Sequence, residues 1–383
     1  MEYRTLGRTG VKVGAIGMGL EHLLVKDQET VTKTIQAAAA GGVTYLDCLS
    51  QSDFAANADT NEEYARLGVA LEGIRDKFHL NFLGNVAHTV TDIARGFACF
   101  QREVKTDYVD SFMLACCDKS TDFDAMTGPD GVLAYALQLQ AEKKIGFIGI
   151  STHSSDIAYR AIEHGAFDIL MYPVNPAFDA VDNEAEFADN IGKLWDNAYE
   201  YDNAEKSSTA SRRNVYAACA RHNIGLVAMK PFAAAWLFRP DLDTGFTPVN
   251  LIAYALAQNG LSVAAPGCAS PEEITEVLSY YTCAEADKDY SAAVAASRWS
   301  IAGNCLYCNH CLPCTVGINV AQIHRLADSA AVAEPQDLPA LRLAYEDVAV
   351  KASACIGCGV CTGRCPFHVD IIGKMTYAAS VLE

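Results

Sequence analysis

Val109-Asp-Ser-Phe-Met-Leu114 and, further on, Ile145-Gly-Phe-Ile-Gly-Ile150 read as buried β-strands. Both are short, apolar and rich in residues that suit a pleated, covered surface. The same kind of run recurs on either side of this pair, as Val13–Met18, Thr44–Asp47, Phe78–Leu83, Asp168–Tyr172, Gly225–Met229 and Leu261–Ala265. Helical stretches fall between most of the runs, with Gln28–Ala40 after the first and Pro271–Ser279 after the last. Eight alternating β/α units over about 280 residues predict a single closed parallel barrel of the (β/α)8 type. The competing arrangement is an open doubly wound sheet. It would want a G-x-G-x-x-G turn between a strand and a helix, and Gly17-Met-Gly19 is only a partial match.

Ahead of the first run, Tyr3–Leu6 and Val11–Val13 flank Gly7-Arg-Thr-Gly10 and predict an N-terminal hairpin. The stretch 176–213 breaks the rhythm. It is polar and acidic, carries Trp195, Tyr199 and Tyr201, and lies where barrel loops build the active face. It reads as an insertion, either a lid or an added helical segment. Ala330–Pro339 reads as a connector between two helices, Val320–Ala327 and Ala340–Val348.

The C-terminal region carries Cys305-Leu-Tyr-Cys308-Asn-His-Cys311-Leu-Pro-Cys314 and Cys355-Ile-Gly-Cys358-Gly-Val-Cys361-Thr-Gly-Arg-Cys365-Pro366. Each half holds three cysteines at C-x2-C-x2-C spacing and a fourth close behind. That spacing lets one tight loop wrap a cubane cluster, and the fourth cysteine of such a run ligates the other cluster. Cys305, Cys308, Cys311 and Cys365 are thus expected to hold one [4Fe-4S] cluster, and Cys355, Cys358, Cys361 and Cys314 a second. Zinc or disulfides are the plainer readings, but zinc sites take four ligands and typically use pairs of cysteines. Thr315 stands where the first half would match Pro366.

Composition sets further bounds. The chain has 383 residues, 51% of them hydrophobic, 15 cysteines and a formal net charge of −18. No apolar run approaches the roughly 18–20 residues of a membrane span. The acidity argues against nucleic acid and anionic membranes as partners. Met1-Glu-Tyr-Arg-Thr-Leu-Gly7 has no apolar signal segment, so a reducing cytoplasm, in an anaerobic or low-oxygen host, is the expected setting.

Several pieces now point to one family. They are Tyr3-Arg-Thr-Leu-Gly-Arg-Thr-Gly10, Gly42-Val-Thr-Tyr-Leu-Asp47, Thr106-Asp-Tyr-Val-Asp110, Ile148-Gly-Ile-Ser-Thr-His-Ser154, Val227-Ala-Met-Lys-Pro231, and Ala265-Pro-Gly267 with Ser270-Pro-Glu-Glu273. In this order the chain resembles the aldo-keto reductases, in the subgroup with a C-terminal bacterial-type ferredoxin domain. The resemblance implies a barrel over 1–296 and a small α-helical two-cluster domain over 297–383. It also implies carbonyl reduction with a nicotinamide cofactor, by an Asp/Tyr/Lys/His tetrad. Of that tetrad only Asp47 is matched; the tyrosine falls on Ser52, the lysine on Leu83 and the histidine on Ala115. A serine is a far poorer general acid than a tyrosine next to a cation.

The rule that barrel active sites lie at the carboxyl ends of the strands supplies a replacement set: Asp47, Cys48, Ser52, Asn85, Cys116, Cys117, His153, Tyr172 and Lys230, with His88 close by. The catalytic candidates among them are Asp47, His153, Lys230, Cys48 and Cys116. Cys48, Cys116 and Cys117 could bind a metal, act as a nucleophile or pass electrons, but the favoured reading is that they are small buried hydrophobes. By resemblance, a nucleotide would be held by Ser151, Lys230, Pro266, Gly267 and Ser270. Glu272, Glu273 and Glu276 crowd that helix start, and Trp236 follows the Lys-Pro pair, so NAD(P)H is in doubt. The leading expectation is an iron–sulfur oxidoreductase. It would pass electrons between its clusters and a small molecule at the barrel mouth, with a ferredoxin or flavoprotein as redox partner. The alternatives are a catalytically dead barrel serving electron transfer or as a scaffold, an NAD(P)H-dependent carbonyl reductase, and a non-redox lyase or isomerase.

Overall fold

A computed structural model describes residues 1–51, 60–179, 209–238, 245–296, 303, 305–331 and 333–383. Ser52 and most of the 176–213 insertion, with Trp195, Tyr199 and Tyr201, lie outside the described residues, as does the expected 296/297 boundary.

β1 (Tyr3–Thr5) and β2 (Lys12–Gly14) form the antiparallel hairpin. Eight parallel strands follow: β3 (Met18–Gly19), β4 (Tyr45–Asp47), β5 (His79–Asn85), β6 (Val109–Ala115), β7 (Ile145–Ser151), β8 (Ile169–Pro173), β9 (Gly225–Met229) and β10 (Leu261–Ala264). Each pairs with its sequence neighbours, from β3 to β10. The ring closes through parallel bridges Ile16↔Ala264 and Gly19↔Gly267. Helices run between successive strands, as right-handed β/α crossovers require. Among the described residues no helix is long and apolar enough to cross a membrane.

One expected strand is divided. Val13–Met18 is apolar throughout, but Val13 and Gly14 pair with Arg4 and Tyr3 in the hairpin, leaving Met18–Gly19 for the barrel. Gly17 allows the chain to turn here: a Cβ on it would meet the Tyr45 carbonyl oxygen at 3.0 Å and Val263 Cγ1 at 2.8 Å.

The barrel interior and the layer between strands and helices are separate cores. Tyr45, Leu83, Met113, Ala115, Ile169, Met171, Val227, Val263 and Ala265 fill the first, with Leu6 and Val13 of the hairpin beneath. Strand pleat decides membership, because successive side chains point to opposite faces. The strand-to-helix core continues beyond the barrel into the C-terminal region and takes in Leu306, Val320, Ile323, Phe367 and Met375. That region is built on helices Val320–Ala331, Leu338–Glu346 and Ile371–Leu382. Its first helix packs on Thr209–Arg221, one of the barrel's outer helices.

Candidate functional site

Asp47 ends β4 and faces the lumen, where Asn81 Nδ2 donates to its Oδ1 at 2.9 Å. Asn81 in turn accepts from Ser111 at 3.2 Å, and Ser111 lies 3.0 Å from His79 Nε2. Leu83, two residues on from Asn81, also faces the lumen, but the side chain that reaches Asp47 is the amide of Asn81. Burial raises the Asp47 carboxyl to about 7, against the opposing pull of the Asn81 hydrogen bond and the Lys230 charge. A carboxyl so placed holds a proton close to neutrality.

Across the mouth, Lys230 follows β9 and His153 follows β7. Lys230 Nζ lies 3.1 Å from His153 Nε2, and His153 Nδ1 lies 3.1 Å from Asp118 Oδ2. Asp118 Oδ1 accepts from the His153 backbone at 2.5 Å and from Thr152 Oγ1 at 3.0 Å. The carboxylate thereby holds both the ring and the loop that carries it. Burial lowers the pKa of both His153 and Lys230, with Asp118 opposing in each case. Lys230 takes a left-handed backbone, φ 51°, and so does Cys116, φ 63°. Left-handed non-glycine residues are uncommon and cluster at functional sites.

The remaining candidates divide by pleat. Cys116 packs against the barrel interior, and burial pushes its thiol up to about 12 despite the nearby Lys230 charge. Cys48, Cys117 and Tyr172 are buried in the outer core and are not brought to the mouth. Cys48 Sγ faces the Leu46 carbonyl at 3.6 Å, and Tyr172 Oη lies 2.7 Å from Ser155 Oγ. Asn85 Oδ1 accepts from Ala87 N in the turn leading to His88. Sequence reasoning missed Asp118, Asn81 and Glu21, whose charge is felt by Asp47, Lys230 and Cys116. Asp118 and Glu21 lie just past strand ends, so extending that window by three residues would have found both.

The phosphate end of a nucleotide site fits poorly. Ser151 is buried at the end of β7, and Pro266-Gly267 follow β10. Ser270 caps the next helix, accepting from Glu273 N, while Glu273 Oε2 accepts from Ala269 N at 2.7 Å. The helix start, a natural anion position, is filled by the chain's own carboxylate, with Glu272 beside it. Lys33 is the cation that Glu272 feels. A phosphate would meet two carboxylates, and like charges at that distance repel.

In the C-terminal region, Cys305, Cys308, Cys311 and Cys365 line one small cavity, walled by Leu306, Val320, Phe367 and Ile371. Cys365 comes from the second run and joins three cysteines of the first. Tyr307 and Asn309 adopt left-handed backbone, φ 60° and 65°. The backbone N–H groups of Tyr307 and His310 favour the thiolates of Cys305 and Cys308, two residues before them, and that of Val360 favours the thiolate of Cys358. Burial raises Cys311 to about 12 and Cys305 to about 11, so neither ionises readily without a compensating cation. His324 lines the same cavity and is fully buried, and among the described residues neither ring nitrogen has a side-chain hydrogen-bond partner. Around the other run, Thr315 Oγ1 lies 3.3 Å from Cys358 Sγ, and Arg364 donates to the Pro313 carbonyl at 2.9 Å. Cys314 is thereby carried to the side of Cys355–Cys361. Among the described residues no three Cys, His, Asp or Glu side chains come together as ligands of one metal ion. Thiolates around a cubane stand farther apart than around a single ion, and the cavity with its buried histidine suits the larger group.

Residues 13–246 match the sequence profile of the Aldo/keto reductase family. The fold is similar to that of aldo-keto reductase AKR11C1 from Bacillus halodurans in its holo form, with 16% identity, a TM-score of 0.56, and coverage of 78% of this chain and 97% of that one. It is also similar to an aldo-keto reductase from Klebsiella pneumoniae in complex with NADPH, with 17% identity, a TM-score of 0.53, and coverage of 74% and 91%. At these identities the likeness is one of fold. No curated protein sequence is similar enough to count as a match.

Proposed function

Because this chain belongs to the aldo/keto reductase family, we propose that it is an iron–sulfur oxidoreductase built on that family's barrel, working without the family's usual tetrad. The observation that carries this reading is the cavity that gathers Cys305, Cys308, Cys311 and Cys365 around the buried His324. The second set is Cys355, Cys358, Cys361 and Cys314, and residues 297–383 form the two-cluster ferredoxin-like domain. Two [4Fe-4S] clusters supply one-electron transfer when bound. The chain's own residues do the rest. Backbone N–H groups of Tyr307, His310 and Val360 stabilise charge on the sulfurs. At the barrel mouth, Asp47 holds a proton on its carboxyl near neutrality, and Asn81 orients it. A small molecule reduced there takes its proton from Asp47, and across the mouth Asp118 holds His153 in place. Ser52, Leu83 and Ala115, at the positions of the family's tyrosine, lysine and histidine, cannot supply the usual acid. The electron partner is a ferredoxin or flavoprotein.

The test is iron and sulfide analysis with electron paramagnetic resonance of the dithionite-reduced protein. About eight irons per chain and two cluster signals are expected. Cys305→Ala and Cys365→Ala should each abolish the same signal, although they lie in different runs, and Cys355→Ala the other. Loss of different signals from the first two variants, or zinc in place of iron, would refute the assignment.

A further inference from the structure

We propose that Lys230 is a nucleophile that forms an imine with a small aldehyde or ketone, using His153 as its proton shuttle and Asp118 to orient that histidine. The order of contacts is that of an activated nucleophile: amine, base, orienting carboxylate. Lys230 Nζ lies 3.1 Å from His153 Nε2, and His153 Nδ1 lies 3.1 Å from Asp118 Oδ2. With Nδ1–H donated to Asp118, Nε2 carries the lone pair and faces the amine. Asp118 is itself 5% exposed and His153 3%, so the dyad is sheltered from water, and Lys230 is half-buried at the barrel mouth.

Backbone geometry makes an independent case. A lysine rarely adopts φ 51°, and here Asn175 Nδ2 holds the conformation by donating to the Lys230 carbonyl at 2.9 Å. A strained residue held by a dedicated side chain, at the carboxyl end of a barrel strand, is placed where this fold does chemistry. The carboxylates of Glu21, Asp118 and Asp47 favour the Lys230 ammonium, and burial outweighs them in disfavouring it. A lysine so desolvated is the kind that attacks carbonyls.

The step balances without a further reactant. The neutral amine adds to the carbonyl carbon, and the proton it sheds passes to His153 Nε2. His153 returns that proton to the oxyanion to give the carbinolamine, then takes the second N–H proton and passes it to the carbinolamine hydroxyl. The C–O bond breaks, water leaves, and C=N forms: amine plus carbonyl gives imine plus water. No step draws on the cysteines, so imine formation stands or falls separately from the cluster assignment.

The experiment uses the full chain as isolated, under anaerobic conditions near neutral pH. It is incubated with propionaldehyde, trapped with cyanoborohydride, and mapped by peptide mass spectrometry. Lys230 should be propylated about tenfold faster than the exposed Lys33, and His153→Gln and Asp118→Asn should slow its labelling about 100-fold, the scale of general acid–base catalysis. Circular dichroism of each variant should stay native, and Lys230→Arg should remove the modified peptide. Labelling of Lys230 no faster than Lys33, or labelling unchanged in both natively folded variants, would overturn the proposal. If Asp118→Asn does not fold, the wild-type rate ratio and His153→Gln decide it.

Discussion

Asp47 is held by the amide of Asn81, and the consequence can be measured. Its folded carboxyl titrates at about 7 instead of the ordinary 3.8, because burial opposes the charge more strongly than Asn81 and Lys230 favour it. The native state then binds the proton more tightly than the unfolded chain, so this group makes stability fall as pH rises from about 4 to about 7. Paired denaturant melts should show the wild-type losing about 1.4 kcal/mol per pH unit relative to Asp47→Asn between pH 5 and 7, levelling off above. A constant difference across that range would mean that Asp47 is already ionised. Asp47, His153 and Lys230 were legible in the sequence because barrel chemistry lies at strand ends. Cys48 and Tyr172 were drawn in by the same rule, which does not ask about parity. Asp47 and Cys48 are adjacent, and the pleat sends one into the lumen and the other into the outer core. Asp118 escaped notice because a carboxylate beyond a strand end carries no sign of which histidine will fold against it.

Helix Thr209–Arg221 is one of the elements that join the barrel to the cysteine region. Arg213 on this helix donates to the Cys305 carbonyl, and its guanidinium carbon lies 5.6 Å from the Tyr307 ring centroid. Arg221 at its end pairs with Asp337 at 3.1 Å. Arg213→Ala removes a charge-assisted hydrogen bond and a cation–π contact, and should cost about 2 kcal/mol in urea unfolding followed through the C-terminal region. Arg213→Lys should recover only part of this, since an ammonium lacks the planar fork. A wild-type melt for Arg213→Ala would show that this helix does not anchor the cysteine loop. Elements were well marked where their period was pure: Gln28–Ala40 and Gly225–Met229 stand as the sequence implied. The run Val13–Met18 was not, because hydrophobicity is blind to partner, and hairpin and barrel divide it between them.

In the molecule as a unit, the two candidate sites occupy different places. The barrel mouth gathers Asp47, His153, Asp118 and Lys230 at the carboxyl ends of the strands. The cysteine region lies against an outer helix, where a cleft lined by Arg213, Tyr307, Asp328 and Lys374 follows the junction. The barrel was legible from its run of eight strands. Cys365 lines the cavity of the first run, where the spacing of the two runs led us to expect it. The buried His324 was not expected, since an amphipathic helix hides which side chain lacks a side-chain partner. In the proposed function the clusters serve the barrel site and nicotinamide does not, since Glu273 fills the helix start a phosphate would use. The deciding test is an anaerobic titration of the isolated protein with NADH and with NADPH. Cluster absorbance and nucleotide fluorescence are followed together, and dithionite is added last. The expected outcome is no nucleotide binding, and no bleaching until dithionite is added. Nucleotide binding accompanied by cluster bleaching would contradict this and return the chain to the family's ordinary cofactor.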